Sequence, residues 1–205
     1  MTLIEHGGAS PVIDRTARIA PTAVIVGDVT IGAGTSIGYG VVLSAESGPI
    51  RIGRECIVMD TVVVRGVAAH PVLVGDRVLI GPRASLSGCV VEDEVFLATG
   101  ATVMNGAHVG AGAEVRINGV VHIRTRLDAF ATVPIGWVAV GDPAQVLPPD
   151  QHEAIWARQR PLDFPGYVFG AERPAHGTSL LAQVAPRYAA SLRSAHGQDR
   201  VLPEP

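Results

Sequence analysis

Aliphatic residues recur every six positions along most of this chain, and a glycine often follows them. The segment 31–42 holds two such units, in which Ile31-Gly32 is repeated as Ile37-Gly38. The same phase continues at Ile52, Val58, Val64, Val74, Ile80, Leu86, Val91, Leu97, Val103, Val109, Val115, Val121, Leu127 and Val133. A period of six fits neither an amphipathic helix nor a strand with alternating faces. It is typical of short strands joined by tight corners, three to a triangular coil, with each aliphatic pointing inward. The pattern therefore predicts an all-β fold built as a parallel β-helix.

The period is interrupted at two places, where we expect the wall of the helix to change. Extra residues between Val64 and Val74 predict an inserted loop over Gly66–Leu73, and the gap between Leu86 and Val91 is one residue short. An all-β sandwich is the alternative, but it would show turn signals about every 8 to 12 residues. A phosphate-binding glycine loop is also disfavoured, because no helical pattern follows the glycines.

The repeats stop before residue 150, and the composition then shifts toward proline, glycine and charge. We therefore expect an N-terminal arm over residues 1–11 and a β-helix domain over residues 12–147. A C-terminal helix with a partly disordered extension is expected over residues 148–205.

Two helices are expected in this C-terminal part. The first covers residues 150–160 and ends at Pro161, because proline cannot continue a helix. The second covers residues 179–193 with an interruption at Pro186. Residues from about Ser194 onward are expected to be disordered.

The composition excludes several classes of function. Hydrophobic residues make up 47% of the 205 residues but aromatic residues only 4%, so a core of small aliphatics is expected. A net charge of -3 with no basic block disfavours nucleic acid binding. No apolar run is long enough for a membrane span and no leader-like segment opens the chain, so a cytoplasmic location is expected. All sixteen basic residues are arginines, which excludes lysine chemistry. Cys56 and Cys89 are interpreted as buried thiols.

Two segments resemble a known family. The opening run Ala20–Gly32 resembles that of γ-class carbonic anhydrases, and the exit Val140–Ala144 is shared with hexapeptide acyltransferases. The resemblance covers roughly residues 12–160. It implies a left-handed parallel β-helix of hexapeptide repeats and assembly as a homotrimer.

The same resemblance implies that the zinc site of the family has been replaced. The three zinc-binding histidines correspond to Arg65, Pro82 and Ser87 in this chain, and none of these is a conventional zinc ligand. We therefore predict no metal at this position and no cofactor, and we do not expect zinc carbonic anhydrase activity.

A polar cluster is expected to remain at this position, which in the family faces a neighbouring subunit. Its predicted ligand-binding members are Arg65, Asp60, Arg83, Ser87 and Glu46, with His70 as a catalytic acid or base. Arginine suits a carboxylate or phosphate because its planar fork can bind two oxygens. The alternative is that Arg65 forms an ion pair with Asp60 or Glu46 that holds the subunit interface together.

His122 is a second candidate catalytic residue. It occupies the same corner column as Arg65 and Ser87, two coils beyond Ser87, which is about 9.6 Å at normal strand spacing. A structural corner histidine is the alternative interpretation.

Three functions stay open: binding or conversion of a small anionic or acyl metabolite at a trimer cleft, acyl transfer from coenzyme A with His70 or His122 as base, and a non-catalytic scaffold.

Overall fold

The computed structural model describes residues 1–203 and shows a parallel β-helix followed by helices. The strands, in chain order, are β1 Thr2–Glu5, β2 Val12–Ile13, β3 Arg18–Ile19, β4 Val24–Ile31, β5 Ser36–Ile37, β6 Val42–Ile52, β7 Ile57–Val58, β8 Val63–Arg65, β9 Val72–Val74, β10 Leu79–Ile80, β11 Ser85–Ser87, β12 Val90–Val91, β13 Phe96–Leu97, β14 Thr102–Val103, β15 His108–Val109, β16 Glu114–Val115, β17 Val120–Val121, β18 Arg126–Leu127, β19 Thr132–Val133, β20 Val138–Val140, β21 Gln145–Leu147 and β22 Arg200–Val201. The helices are α1 His152–Gln159, a 3₁₀ turn Arg160–Leu162, α2 Phe164–Phe169 and α3 Leu180–Ala195.

The strands stack in three parallel columns, which we call the first, second and third faces. The first face contains β2, the end of β4, the end of β6, β9, β12, β15 and β18. The second face contains β3, β5, β7, β10, β13, β16 and β19. The third face contains β1, the starts of β4 and β6, β8, β11, β14, β17 and β20. Each coil thus gives one short strand to every face, and the fold is the left-handed β-helix of hexapeptide-repeat proteins.

The core is a column of aliphatic side chains, and the predicted phase of the six-residue repeat is confirmed. Every aliphatic position that defines the period is buried. Leu86, for example, is fully buried and pairs with Val64 in the coil before and Val103 in the coil after. Cys56 and Cys89 are also buried free thiols, as predicted, and burial raises the pKa of Cys89 to about 12.

The inserted loop lies after β8, where the repeat is interrupted. Three glycines let this loop lie close to its neighbours. A Cβ at Gly48 would collide with the carbonyl oxygen of Val67, and one at Gly66 would collide with that of Gly48. At Gly88, in the shortened corner of the next coil, a Cβ would lie 2.8 Å from the Cβ of His70. The two interruptions of the period are therefore one structural feature, because the shortened corner makes room for the loop.

The C-terminal helices are close to those expected. Helix α1 falls within the predicted range 150–160, and a 3₁₀ turn containing Pro161 follows it. Helix α3 begins one residue after the start of the predicted range 179–193 and ends two residues beyond it. The predicted interruption at Pro186 is wrong, because the helix continues through the proline. A proline removes one backbone donor, and that loss is tolerated here in a helix whose Val184 is buried against the rest of the protein.

The two ends of the chain pair with each other, which the sequence did not predict. Strand β1 pairs with β4 and extends the third face by one strand. Residues 2–5 of the expected N-terminal arm therefore belong to the coils of the β-helix. Strand β22 pairs antiparallel with β1, and Arg200 forms a 2.7 Å ion pair with Glu5. The expected disorder from Ser194 thus differs from the structure, because the free edge of β1 supplies backbone partners for the tail. The last two residues of that extension, 204–205, lie outside the described residues.

None of the helices described over residues 1–203 is both long and apolar enough to cross a membrane.

Candidate functional site

A cavity of about 750 Å³ lies at the corner between the third and first faces, beneath the C-terminal helices. We call this corner the site corner. The coils contribute four residues predicted from the sequence: Glu46, Arg65, His70 and Ser87. The helices contribute residues that were not predicted: Tyr167, Val168, Phe169, Val184, Arg187, Tyr188 and Ser191. The cavity is therefore formed within one chain, between the coil wall and the helices folded back over it.

Arg65 ends β8, and strand pairing stacks it between Ser44 and Ser87. Its Nη2 donates to Glu46 Oε2 at 2.7 Å and to the hydroxyl of Tyr188 at 3.3 Å. The bond to Glu46 raises the pKa of Arg65. Within residues 1–203 every hydrogen bond of this guanidinium comes from Nη2, so Nε and Nη1 keep donors for another molecule.

Glu46 is ionised beside Arg65. Burial acts to raise the pKa of this carboxyl, but hydrogen bonds from Arg65 and His196 outweigh it, and the pKa lies below its ordinary value. Of the two ion pairs considered from the sequence, Arg65 with Glu46 is the one formed within the chain.

His70 forms the second polar pair of the cavity. Its Nε2 lies 2.7 Å from the hydroxyl oxygen of Tyr167 in α2. Burial raises the pKa of Tyr167, more than Arg124 lowers it, so the phenol stays protonated at neutral pH. A Cβ at Gly106 would collide with the Tyr167 hydroxyl, so glycine there lets the tyrosine reach His70. The pair can hold or pass a proton at the cavity wall.

Arg187 in α3 places a second guanidinium on the cavity. Its Nη2 donates to the carbonyl oxygen of Phe169 at 2.7 Å, which ties α3 to α2. The cavity lining thus carries two arginines, Arg65 and Arg187, and one carboxylate, Glu46. The excess of permanent positive charge favours an anionic ligand.

The other two predicted ligand-binding residues lie elsewhere within the chain. Asp60 and Arg83 occupy the corner between the second and third faces, in successive coils, and the Arg83 backbone N–H donates to the Asp60 carbonyl oxygen at 3.1 Å. The Asp60 carboxylate accepts from the backbone N–H of Tyr39 at 2.8 Å, as a corner residue does. A single chain therefore does not bring these two residues to Arg65.

His122 lies in the predicted column but away from the cavity lining. Its side chain is 8% exposed, and its ring packs against Phe164 with centroids 6.5 Å apart. Burial lowers the pKa of His122, and among residues 1–203 its Nδ1 has no hydrogen-bond partner. His122 is therefore a buried corner residue, and its catalytic role stays a prediction.

Comparison with known proteins identifies the superfamily. No family model matches the chain. Gamma carbonic anhydrase 1 from Arabidopsis thaliana mitochondria is 36% identical over 152 residues, which cover 71% of this chain and 53% of that protein. The Carnitine operon protein CaiE from Escherichia coli is 31% identical over 110 residues, covering 54% of this chain and 56% of CaiE. A solved hexapeptide transferase family protein from Anaplasma phagocytophilum superposes with a TM-score of 0.51 at 29% identity, covering 77% of this chain and 90% of that one.

The chain is a γ-carbonic-anhydrase-like hexapeptide-repeat protein. It spans about half the length of the curated relatives it matches. The family resemblance drawn from its opening and exit segments is thereby confirmed.

Sequence reasoning missed the helical half of the cavity in this γ-carbonic-anhydrase-like protein. Aromatic residues were the available signal: five of the nine in the chain lie in the segment 156–188, outside the repeats. Tyr167 and Tyr188 belong to that set and both contact predicted site residues. Arg187 offered no comparable signal, because its position over the site corner depends on how α3 folds back.

Proposed function

We propose that this protein binds a small anionic or acyl metabolite in the cavity at the site corner, without a metal at the position of the family zinc. The observation that carries the proposal is the charge of the lining, in which Arg65 and Arg187 face a single carboxylate. Arg65 keeps two guanidinium nitrogens free of protein acceptors within residues 1–203, so it can bind two oxygens of a carboxylate or phosphate.

The residues at the family's zinc positions do not fit a zinc ion. Arg65 is held protonated by Glu46, and the side chain of Pro82 has no donor atom for a metal. Ser87 offers only a neutral hydroxyl. A cation at this place would also face the charge of Arg65. The proposed function therefore uses the guanidinium as the anion-attracting charge.

The size and walls of the cavity define the ligand class. A volume of about 750 Å³ is within the range of small-molecule sites. Hydroxyl groups from Ser47, Ser87 and Ser191 lie on the lining together with the apolar side chains of Val184 and Phe169. A molecule with an anionic or acyl oxygen at one end and a short apolar part at the other matches this division.

Acyl transfer is a second candidate, and the His70–Tyr167 pair favours it. In such a reaction His70 would accept the proton of an acceptor hydroxyl or amine as that group attacks a thioester carbonyl, and the thiolate would leave as coenzyme A. Tyr167 would orient the imidazole. A thiol-release assay with acetyl coenzyme A tests this candidate: activity lost in His70→Gln but kept in His122→Gln supports it, and no thiol release above background contradicts it.

We also propose that the protein is a homotrimer. The corner carrying Asp60 and Arg83 is flanked by exposed apolar side chains, including Ile57 at 47%, Val63 at 37% and Phe96 at 39% exposure. Ile57 in β7 and Phe96 in β13 both lie on the second face, with β10 between their strands. Apolar residues grouped at a coil corner are consistent with contact between subunits. A neighbouring copy could then bring Asp60 and Arg83 to another chain's Arg65.

The binding proposal is tested by calorimetry with a panel of small carboxylates, inorganic phosphate and acetyl coenzyme A. Losing one charge-assisted hydrogen bond costs about 1.5 to 3 kcal/mol, so Arg65→Ala should weaken the best ligand by roughly 10- to 150-fold. Arg77→Ala is the matched control, because Arg77 forms a similar ion pair with Glu94 but does not line the cavity. Equal affinity of wild type and Arg65→Ala for every ligand that binds would contradict the proposal.

A further inference from the structure

Two histidines and an aspartate from opposite ends of the chain meet beside the site corner. His6 Nδ1 lies 2.6 Å from one carboxylate oxygen of Asp199, and His196 Nδ1 lies 2.7 Å from the other. The candidate ligand atoms of the three residues all lie within 4.8 Å of one another. His6 is buried, and His196 and Asp199 are partly exposed, with 35% and 22% of their side chains accessible.

The fold itself assembles this cluster. Antiparallel pairing of β1 with β22 sets Ile4 opposite Val201 and Glu5 opposite Arg200, so the next step of the register brings His6 to Asp199. His196 caps the end of α3, one turn before Asp199. The three side chains are therefore positioned by a strand pair and a helix end rather than by a mobile loop.

The second nitrogen of each ring has an acceptor of the kind that orients metal-binding histidines. His6 Nε2 lies 2.9 Å from the carbonyl oxygen of Glu46, and His196 Nε2 lies 3.2 Å from the Glu46 carboxylate. Histidines that bind metals usually donate their other N–H to a carbonyl or carboxylate in this way. One residue, Glu46, serves both rings.

The alternative without a metal is a hydrogen-bonded cluster in which the carboxylates of Asp199 and Glu46 balance protonated rings. All four ring nitrogens face oxygen acceptors, so hydrogen bonding them all needs both imidazoles to be cations. Their ring centroids lie only 5.0 Å apart, and the His6 ring is 8% exposed. A divalent cation accounts for the same four contacts with neutral rings, which would bind through Nδ1 and still donate through Nε2.

We propose that His6, His196 and Asp199 bind a first-row divalent cation, with zinc as the best match to two imidazoles and one carboxylate. Tetrahedral coordination separates ligand atoms by about 3.3 Å, so the carboxylate would retreat by roughly half an ångström from its present contacts. Three protein ligands leave one coordination position for solvent. The ion joins the two chain ends and holds Glu46, which in turn holds Arg65.

The test uses the full-length, untagged protein, stripped with a chelator and titrated with Zn²⁺ by calorimetry and with Co²⁺ by visible absorption. We expect about one equivalent per chain, with binding lost in His196→Gln and Asp199→Asn. Glu46→Gln should weaken binding by about 10- to 100-fold, because it changes only the outer acceptor. His108→Gln is the matched control, since His108 contacts a single carboxylate, Glu92, at 2.6 Å.

Circular dichroism of each variant distinguishes loss of a metal-binding side chain from loss of the fold. Arg65→Ala should keep the metal, which makes this result independent of the anion-binding proposal. No saturable binding by the wild type, or unchanged affinity in a folded His196→Gln or Asp199→Asn, would overturn the proposal. Loss of binding in His108→Gln would place the metal elsewhere and overturn it as well.

Discussion

Leu86 lies in the inward column of the third face, and shortening it to alanine measures how rigid the stacked core is. The side chain is fully buried between Val64 in the preceding coil and Val103 in the following one. Strand hydrogen bonds hold successive coils at about 4.8 Å, so neither valine can move in to fill the space. Leu86→Ala therefore leaves most of the vacated volume as a cavity.

The expected cost follows from that rigidity. Buried Leu→Ala changes cost about 2 to 5 kcal/mol, with the larger values where the site cannot collapse. For Leu86→Ala we expect the free energy of unfolding to fall by about 3 to 5 kcal/mol. For a chain of this size each kcal/mol lowers the melting temperature by about 2 to 4 °C, so the midpoint should fall by about 6 to 20 °C.

Leu73→Ala is the matched control, because Leu73 lies on the outer side of the first face and is 39% exposed. That change should cost about 1 kcal/mol or less. Urea unfolding followed by circular dichroism compares the two variants at the same protein concentration. Equal midpoints for Leu86→Ala and Leu73→Ala would refute the argument that the inward column carries the stability of the fold.

Three further outcomes are expected. Burial lowers the pKa of His122 below the ordinary 6.5, so below that pH the unfolded chain binds more protons than the folded one. His122 should therefore lower the free energy of unfolding as the pH falls below 6.5 and have no such effect above it. Comparing the pH dependence of unfolding in wild type and His122→Gln should show that loss, and parallel curves from pH 8 to 5 would contradict it. Ile57→Asp should turn a trimeric mass into a monomeric one by light scattering, whereas a monomeric wild type at micromolar concentration would remove the trimer proposal. Gly106→Ala should separate the Tyr167 hydroxyl from His70, because the new Cβ occupies its place; a crystal structure of the variant that keeps the 2.7 Å contact would show this packing argument to be wrong.

The fold was predictable because one period repeats through most of the chain. A single inward position in each unit, such as Ile80 or Leu97, fixes which side of every strand is buried, and each further coil repeats that evidence. The place of the inserted loop followed from the break in spacing after Val64. The pairing of β1 with β22 could not be predicted in the same way, since two short strands at opposite ends carry no repeated signal.

The site was predictable only in its coil half. Position within the repeat identified Arg65 and Ser87 as neighbours in one column, and strand pairing confirms that register. The family resemblance grouped Asp60 with them, but within one chain Asp60 lies at the next corner although it is only five residues from Arg65 in sequence. The contact between His6 and Asp199 joins residues 193 positions apart, so it depends on tertiary structure alone.

The most direct test of the central claim is a crystal structure of the protein with the tightest-binding member of the carboxylate, phosphate and acetyl coenzyme A panel. The account predicts density for that molecule in the cavity at the site corner, with an anionic or acyl oxygen within hydrogen-bond distance of the Arg65 guanidinium. Density that avoids Arg65, or a ligand bound only at the corner of Asp60 and Arg83, would contradict it.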